Sequence, residues 1–247
     1  MGQRKRKGLP IHGWLIIDKP LGISSAKVVA QVKHKTGAAK VGHGGTLDPL
    51  ATGLLPIALG EATKTTAWAM DGSKTYTFVI RWGVATETED AEGAVTDTSD
   101  VRPTSDQVEA ALPHFIGDIE QMPPIFSALK VDGERAYKKA RRGETVELKP
   151  RKVTICGLKA LKYIDNDHTE FEAHCGKGTY IRSLARDIAL YLGTVGHIAA
   201  LRRTSVGPFE INQAISLDSL NDIGHNYAPN SYLLPVETAL ADIPALP

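Results

Sequence analysis

The stretch Val41-Gly42-His43-Gly44-Gly45-Thr46-Leu47-Asp48-Pro49-Leu50-Ala51-Thr52-Gly53 constrains this chain more than any other. It carries four glycines, one histidine and one carboxylate, and an apolar run, Leu54-Leu55-Pro56-Ile57, follows at once. Glycines let the backbone turn at positive φ and let another molecule approach closely. Pro49 biases Asp48 towards an extended conformation and has no amide proton of its own. The pattern predicts a stiff loop that presents Asp48 outward, just ahead of a buried strand. A surface turn closed by an Asx hydrogen bond is the plain alternative. The length of the loop, and an imidazole five residues before a fixed carboxylate, favour a functional site.

A chain of 247 residues can bury a large core, as one big domain or two small ones. Its 42% hydrophobic and 23% charged residues are ordinary for a soluble globular protein. No apolar run approaches the length of a membrane span. Met1 to Lys7 is basic but no apolar signal core follows, so no export is expected. Cys156 and Cys175 are too few for a disulfide framework and match no zinc spacing. Free thiols in a reducing cytosol fit them, which predicts a cytoplasmic protein. The formal net charge is only +1, so a nucleic-acid partner requires a local basic face. Lys130 to Lys152 offers one, with nine basic residues against four acidic. A solvated charged surface and a phosphate-binding lobe both fit that cluster.

In chain order, Gly13 to Asp18 reads as a buried strand. Ser24 or Ser25 caps a helix with Val28, Val29 and Val32 on one face, stopped near Gly37. After the Asp48 loop come a strand over Leu54–Leu59 and a helix over Glu61–Met70, weakened by threonines. Lys74 to Gly83 alternates as a strand with Tyr76, Phe78 and Ile80 on one face. Thr86 to Asp100 is acidic and turn-rich, and reads as a solvated loop. Thr104-Ser105-Asp106-Gln107 is a capping box opening a helix with Val108, Ala111, Leu112, Phe115 and Ile116 inward. Tyr137 to Arg142 is a short basic helix stopped by Gly143. Val153–Ile164 and Thr169–Cys175 pair as strands, and Thr179 caps a helix buried through Ile181, Leu184, Ala185, Ile188 and Leu192. Arg182 and Arg186 share a neighbouring face of it. Short strands over Ile198–Ser205 and Phe209–Ile211 follow, and loop-like chain from Asp222. Strands and helices intersperse without regular alternation, which predicts an α+β fold with a mixed, largely antiparallel sheet.

The Asp48 loop closely resembles the catalytic loop of the TruB family of bacterial tRNA pseudouridine-55 synthases, G-H-x-G-x-L-D-P-x-A-x-G. Gly44 stands where a threonine is expected, which predicts a slightly looser loop. Four further stretches resemble the family in the same order: Trp14 to Ser25 with Asp18-Lys19-Pro20-Leu21-Gly22, the strand bearing Tyr76, Lys177-Gly178-Thr179-Tyr180-Ile181-Arg182, and Leu201-Arg202-Arg203-Thr204. The resemblance runs roughly from His12 to Leu220 and implies the pseudouridine synthase fold.

It also implies roles. Asp48 is the nucleophile, because a carboxylate can attack an electron-poor pyrimidine carbon or an activated anomeric carbon and leave again. Tyr76 stacks on the target uracil and helps move a proton, and Arg182 pairs with Asp48. Tyr180 and Leu201 line the base pocket. His43 brackets the space left by an extruded base. Lys19 supports the loop at the substrate, and Lys130, Arg141 and Arg142 belong to an RNA-contacting insertion over about 123–152. No cofactor and no metal are implied. The partner is tRNA through its T-arm stem-loop, with no membrane and a monomeric enzyme. By domain, 1–11 is a basic tail, 12–221 the catalytic domain, and 222–247 an extension where the family's usual C-terminal RNA-binding domain is absent or truncated. Two rival classes stand beside this. One is an RNA-binding or tRNA-folding module without turnover. The other is a hydrolase using His43 and Asp48 as a metal or acid–base pair.

Overall fold

The computed structural model describes residues 8–127, 129–131, 133–222 and 232–241. The chain forms two compact units, Met1–Thr75 with Arg202–Pro247, and Tyr76–Leu201.

The first unit is built on β1 (Gly13–Lys19), whose Trp14, Leu15, Ile16 and Ile17 are all buried. A strand apolar on both faces must be covered on both faces. β1 pairs antiparallel along its whole length with β3 (Ala51–Leu59), from Gly13↔Leu59 to Lys19↔Gly53. Its other edge takes Ile215–Ser216 in parallel and Leu233–Leu234 antiparallel. β2 (Val41–His43) pairs antiparallel with β3, so the Asp48 loop is the connection of a wide hairpin. Trp14, Ile16, Leu54, Ala58, Val206 and Phe209 form the core, with the Trp14 and Phe209 rings 5.1 Å apart. Helix α1 (Ser25–Thr36) is capped by Ser24, buries Val28 and Val32, and ends at Gly37 with φ 64°.

The predicted Glu61–Met70 helix is two pieces, a 3-10 turn Gly60–Lys64 and a helix Thr66–Asp71. The threonines explain the break. Thr63, Thr65 and Thr66 donate their hydroxyls to the carbonyls of Gly60, Ala62 and Thr63, a local alternative to the helical ladder.

In the second unit, β4 (Lys74–Trp82) alternates as expected, with Tyr76, Phe78, Ile80 and Trp82 buried. The Phe171 ring stacks on Phe78 at 5.4 Å and meets Trp82 edge-on at 6.1 Å. The strand Arg151–Tyr163 pairs antiparallel with His168–Cys175 on one side and with Gly117–Gln121 on the other. The basic lobe is therefore an excursion between two adjacent strands. Helix Ser105–Ala111 opens on the predicted capping box, both halves of which are formed. Helix Ile181–Tyr191 buries Ile181, Leu184, Ala185 and Ile188. The α+β class with largely antiparallel pairing agrees with the sequence.

Three further readings need correction. Ile116 does not face inward; it lies beyond the helix and is exposed. Thr179 does not cap the Ile181–Tyr191 helix; its hydroxyl donates back to the Gly176 carbonyl at 3.0 Å, and Tyr180 is the cap residue. The acidic stretch after Thr86 is not simply solvated. Val84–Thr86 and Val95–Thr98 pair as strands, and Asp90 between them is buried. No helix among the described residues is long and apolar enough to cross a membrane.

Candidate active site

The Asp48 loop is held from below by three side chains that reach it from elsewhere in the first unit. Lys19, at the end of β1, is completely buried, and its ammonium donates to the carbonyls of Pro20 (2.9 Å), Ile23 (2.8 Å) and Pro49 (3.1 Å). All three of its protons are thus used. Ser25, at the start of α1, accepts from Leu47 N–H at 2.8 Å and donates to Leu47 O at 2.9 Å. Arg203 is 1% exposed and donates to Leu54 O (2.9 Å), Gly45 O (3.1 Å) and Thr46 O (3.3 Å). Carbonyls 45, 46, 47 and 49 are all fixed, and the half-buried Asp48 sits among them. Gly53 explains how Arg203 comes so close. Its φ is 97°, and a Cβ there would lie 2.2 Å from the Arg203 carbonyl.

His43 ends β2 and is half-buried, with Nδ1 accepting from Gly45 N–H at 3.3 Å. The neutral ring therefore carries its proton on Nε2. Burial, with the Arg203 charge adding to it, holds the imidazole below its ordinary pKa. A neutral ring at the rim of the loop can stack on a base without adding charge.

Gly44 does not loosen the loop. Its amide donates to Pro56 O at 2.8 Å, and a Cβ there would meet Ala69 Cβ at 2.9 Å and the Trp14 ring at 3.3 Å. The space a side chain needs is already filled by the core. Gly44→Thr is expected to lower stability by about 1–3 kcal/mol through overpacking. Urea unfolding measures this, and an unchanged midpoint would show that Ala69 can move aside.

In the second unit, Tyr76 lies on the buried face of β4, Leu201 is half-buried in the strand Gly196–Val206, and Tyr180 begins the Ile181–Tyr191 helix. Arg182, in the first turn of that helix, is 5% exposed. It donates to Thr88 O at 2.8 Å and Phe126 O at 2.9 Å, and its guanidinium lies 3.8 Å from the Asp90 carboxylate. One turn on, Arg186 bonds Glu89 and donates to Met122 O at 3.0 Å. Burial raises the Glu89 carboxyl pKa against the pull of Arg186. Glu89 also adopts φ 61°, unusual for a non-glycine residue. Sequence reasoning missed Asp90 and Glu89, because an acidic run beside turn residues looks solvated. The matching signal was the Arg182–Arg186 spacing, but nothing local says which acids it faces.

The basic lobe is less uniformly positive than its composition suggests. Arg142 makes two bonds to Glu134, at 2.8 and 2.7 Å, and one to Glu144 at 2.6 Å. Two of the lobe's four acids are thus spent on this one residue. Arg141 is exposed with its guanidinium 5.7 Å from the Tyr137 ring centre. Lys130 pairs its backbone with Arg135, and its side chain lies outside the described residues.

Residues 33–181 match the model of the TruB family pseudouridylate synthase N-terminal domain, and residues 182–241 that of the tRNA pseudouridylate synthase B C-terminal domain. The chain is 56% identical to the tRNA pseudouridine synthase B of Rhodospirillum rubrum, covering 99% of this chain and 79% of that protein. It is 58% identical to that of Gluconacetobacter diazotrophicus, covering 98% and 80%. Among solved structures, a chain of the archaeal box H/ACA sRNP Nop10-Cbf5 complex aligns with a TM-score of 0.69 at 26% identity, over 97% of this chain and 68% of that one. A chain of an H/ACA RNP bound to a substrate RNA containing 2'-deoxyuridine aligns with a TM-score of 0.68 at 25% identity, over 96% and 67%.

Proposed function

We propose, from the premise that the chain belongs to the TruB family of pseudouridylate synthases, that it converts the T-loop uridine at position 55 of tRNA to pseudouridine, with Asp48 as nucleophile and the target base flipped out of its stack. Family membership makes the chain an isomerase that forms pseudouridine. The observation that carries the finer reading is the framing of Asp48. Four neighbouring carbonyls are pinned by buried donors, so the carboxylate is held by a loop that has little freedom to move. Preorganisation of this kind is what a nucleophile needs and a plain RNA-binding surface does not.

In this reading the carboxylate of Asp48 bonds a carbon of the nucleoside, the N1–C1' bond breaks, and the uracil turns. C5 then joins C1', the C5 hydrogen leaves as a proton to water, N1 takes up a proton in its place, and Asp48 leaves unchanged. Arg182 is the cationic partner of the nucleophile, Tyr76 stacks on the uracil, and Tyr180 and Leu201 flank it. His43 fills the space beside the extruded base, offsetting an unstacking cost of about a few kcal/mol. Lys19 acts through the loop that it holds.

The test is tritium release from a tRNA transcript labelled at uracil C5, followed by mapping of the product. Release with modification at position 55 is expected. Binding without release would support an RNA-binding module, and a product elsewhere would overturn the site assignment.

The lobe gives a second expectation. Neutralising Lys138, Lys139 and Arg141 should weaken tRNA binding and flatten its salt dependence, by roughly 0.7–0.9 in log–log slope for each phosphate that is no longer neutralised. Arg142→Gln should change the slope less, since Glu134 and Glu144 already offset its charge. An unchanged slope in the triple variant would remove the lobe from the RNA interface.

A further inference from the structure

The strand Gly117–Gln121 ends where the basic lobe begins, and its last side chain turns inward. Gln121 is 1% exposed. Its amide exchanges two hydrogen bonds with one backbone position: Nε2 donates to Tyr180 O at 3.1 Å, and Tyr180 N–H donates to Oε1 at 2.8 Å. A side chain here does what a neighbouring strand would do. The Gln121 backbone is meanwhile paired with Arg151 in the sheet. One residue therefore ties the sheet to the start of the Ile181–Tyr191 helix, whose Tyr180 cap has no side-chain cap bond of its own.

The contacts continue along the lobe's root. Arg186 donates to Met122 O and Arg182 to Phe126 O. Pro123 and Pro124 between them have fixed φ and no amide proton, so the root leaves the strand as a stiff segment. Tyr180, Arg182 and Arg186 thus grip Gln121, Phe126 and Met122. The grip on Gln121 is anchored in the sheet as well.

We propose that Gln121 is a positioning residue: it sets the backbone of Tyr180, and with it the direction in which Arg182 leaves its helix, against the root of the RNA-contacting lobe. The inference rests on reading Tyr180 and Arg182 as active-site residues. Gln121 touches no substrate. It acts by holding the turn from which both side chains depart.

Two variants test it. Gln121→Met keeps the length and loses both bonds. It should lower kcat about tenfold or more, within the range a small misplacement of catalytic groups costs, while KM stays within about twofold because the lobe still meets RNA. Gln121→Glu replaces the donor with a titrating group. Protonated, the carboxyl can donate to Tyr180 O and accept from its N–H as the amide does; ionised, it can only accept. The ratio of variant to parent kcat should therefore fall as pH rises through the carboxyl's titration. A glutamine that only stabilises the fold would give a ratio flat in pH. Parental kcat in the Met variant, or a flat ratio in the Glu variant, overturns the proposal; if the Met variant does not fold, the Glu series decides alone. The parent is measured in the same C5-tritium assay. No release from the parent would defeat the proposed function, whereas release from the parent with both variants unaffected would defeat this inference only.

Discussion

Asp48→Asn is expected to take pseudouridine formation below detection while the protein still folds, with some loss of thermal midpoint, and still binds RNA at least as tightly as the parent. Asparagine keeps the size of the side chain and most of its hydrogen-bonding capacity. It loses the negative charge and nearly all nucleophilicity. A fall of roughly four orders of magnitude or more is the scale seen when a nucleophile is removed from a preorganised site. The acids nearest in sequence within the same unit cannot replace it. Asp18 is committed to Arg202 through two bonds, at 3.0 and 2.7 Å, and Glu61 is bound to Lys64 on the surface. The backbone of the loop is also held by Lys19, Ser25 and Arg203, through carbonyls and an amide, so it has supports besides the Asp48 side chain. Binding can even tighten, since the amide does not repel phosphate. Tritium release, a filter-binding curve and a thermal melt on one preparation give the answer. Turnover near the parental rate would sink the covalent mechanism.

Lys19→Met is expected to cost about 2 kcal/mol or more of stability and to lower kcat even in the folded fraction. Methionine fills a similar volume but leaves the carbonyls of Pro20 and Ile23 without that donor, while Pro49 O keeps the Gly22 amide, and unmet buried acceptors cost about 1–3 kcal/mol each. Part of this is offset, because an ammonium no longer has to be buried. Loss of the bond to Pro49 leaves that carbonyl to the Gly22 amide at 2.9 Å, which loosens the segment next to Asp48, so the chemical step suffers as well as the fold. The parent enzyme should show a related pH effect. Burial brings the Lys19 pKa down from 10.5 to about 8, against the opposing pull of the Asp48 carboxylate. Above about pH 8 the neutral amine has one N–H fewer than its three acceptors, and kcat should fall. Stability takes the opposite sign. Between the folded value near 8 and the unfolded 10.5, the unfolded chain binds more proton at this group, so its contribution to stability rises with pH. An alkaline loss of kcat with no matching loss of stability from this group, and its absence in Lys19→Met, is the expected pattern. A variant as stable as the parent would show that the Pro20 and Ile23 carbonyls find other partners.

The sequence by itself determined the features whose causes lie within a few residues. Apolar residues at every second position made β4, and the structure buries Tyr76, Phe78 and Ile80 as that alternation requires. Thr104 and Gln107 close their capping box because both ends of it are in one turn. Gly37 and Gly193 end helices at φ 64° and 73°, where other residues are strained. The Asp48 loop could be picked out because its glycines and proline act through their own backbone. Tertiary structure alone decided what holds these parts in place. Lys19 meets Pro49 thirty residues on, Ser25 meets Leu47, and Arg203 meets Gly45 from the far end of the chain. The same holds for Arg182 with Asp90 and for Gln121 with Tyr180. Long polar side chains are compatible with almost any surface position, so their spacing alone does not say which partner they meet. Which carbonyl such a donor reaches follows only once the strands have paired and the donor has been shut away from water. An unmet polar group then costs enough to select a single partner.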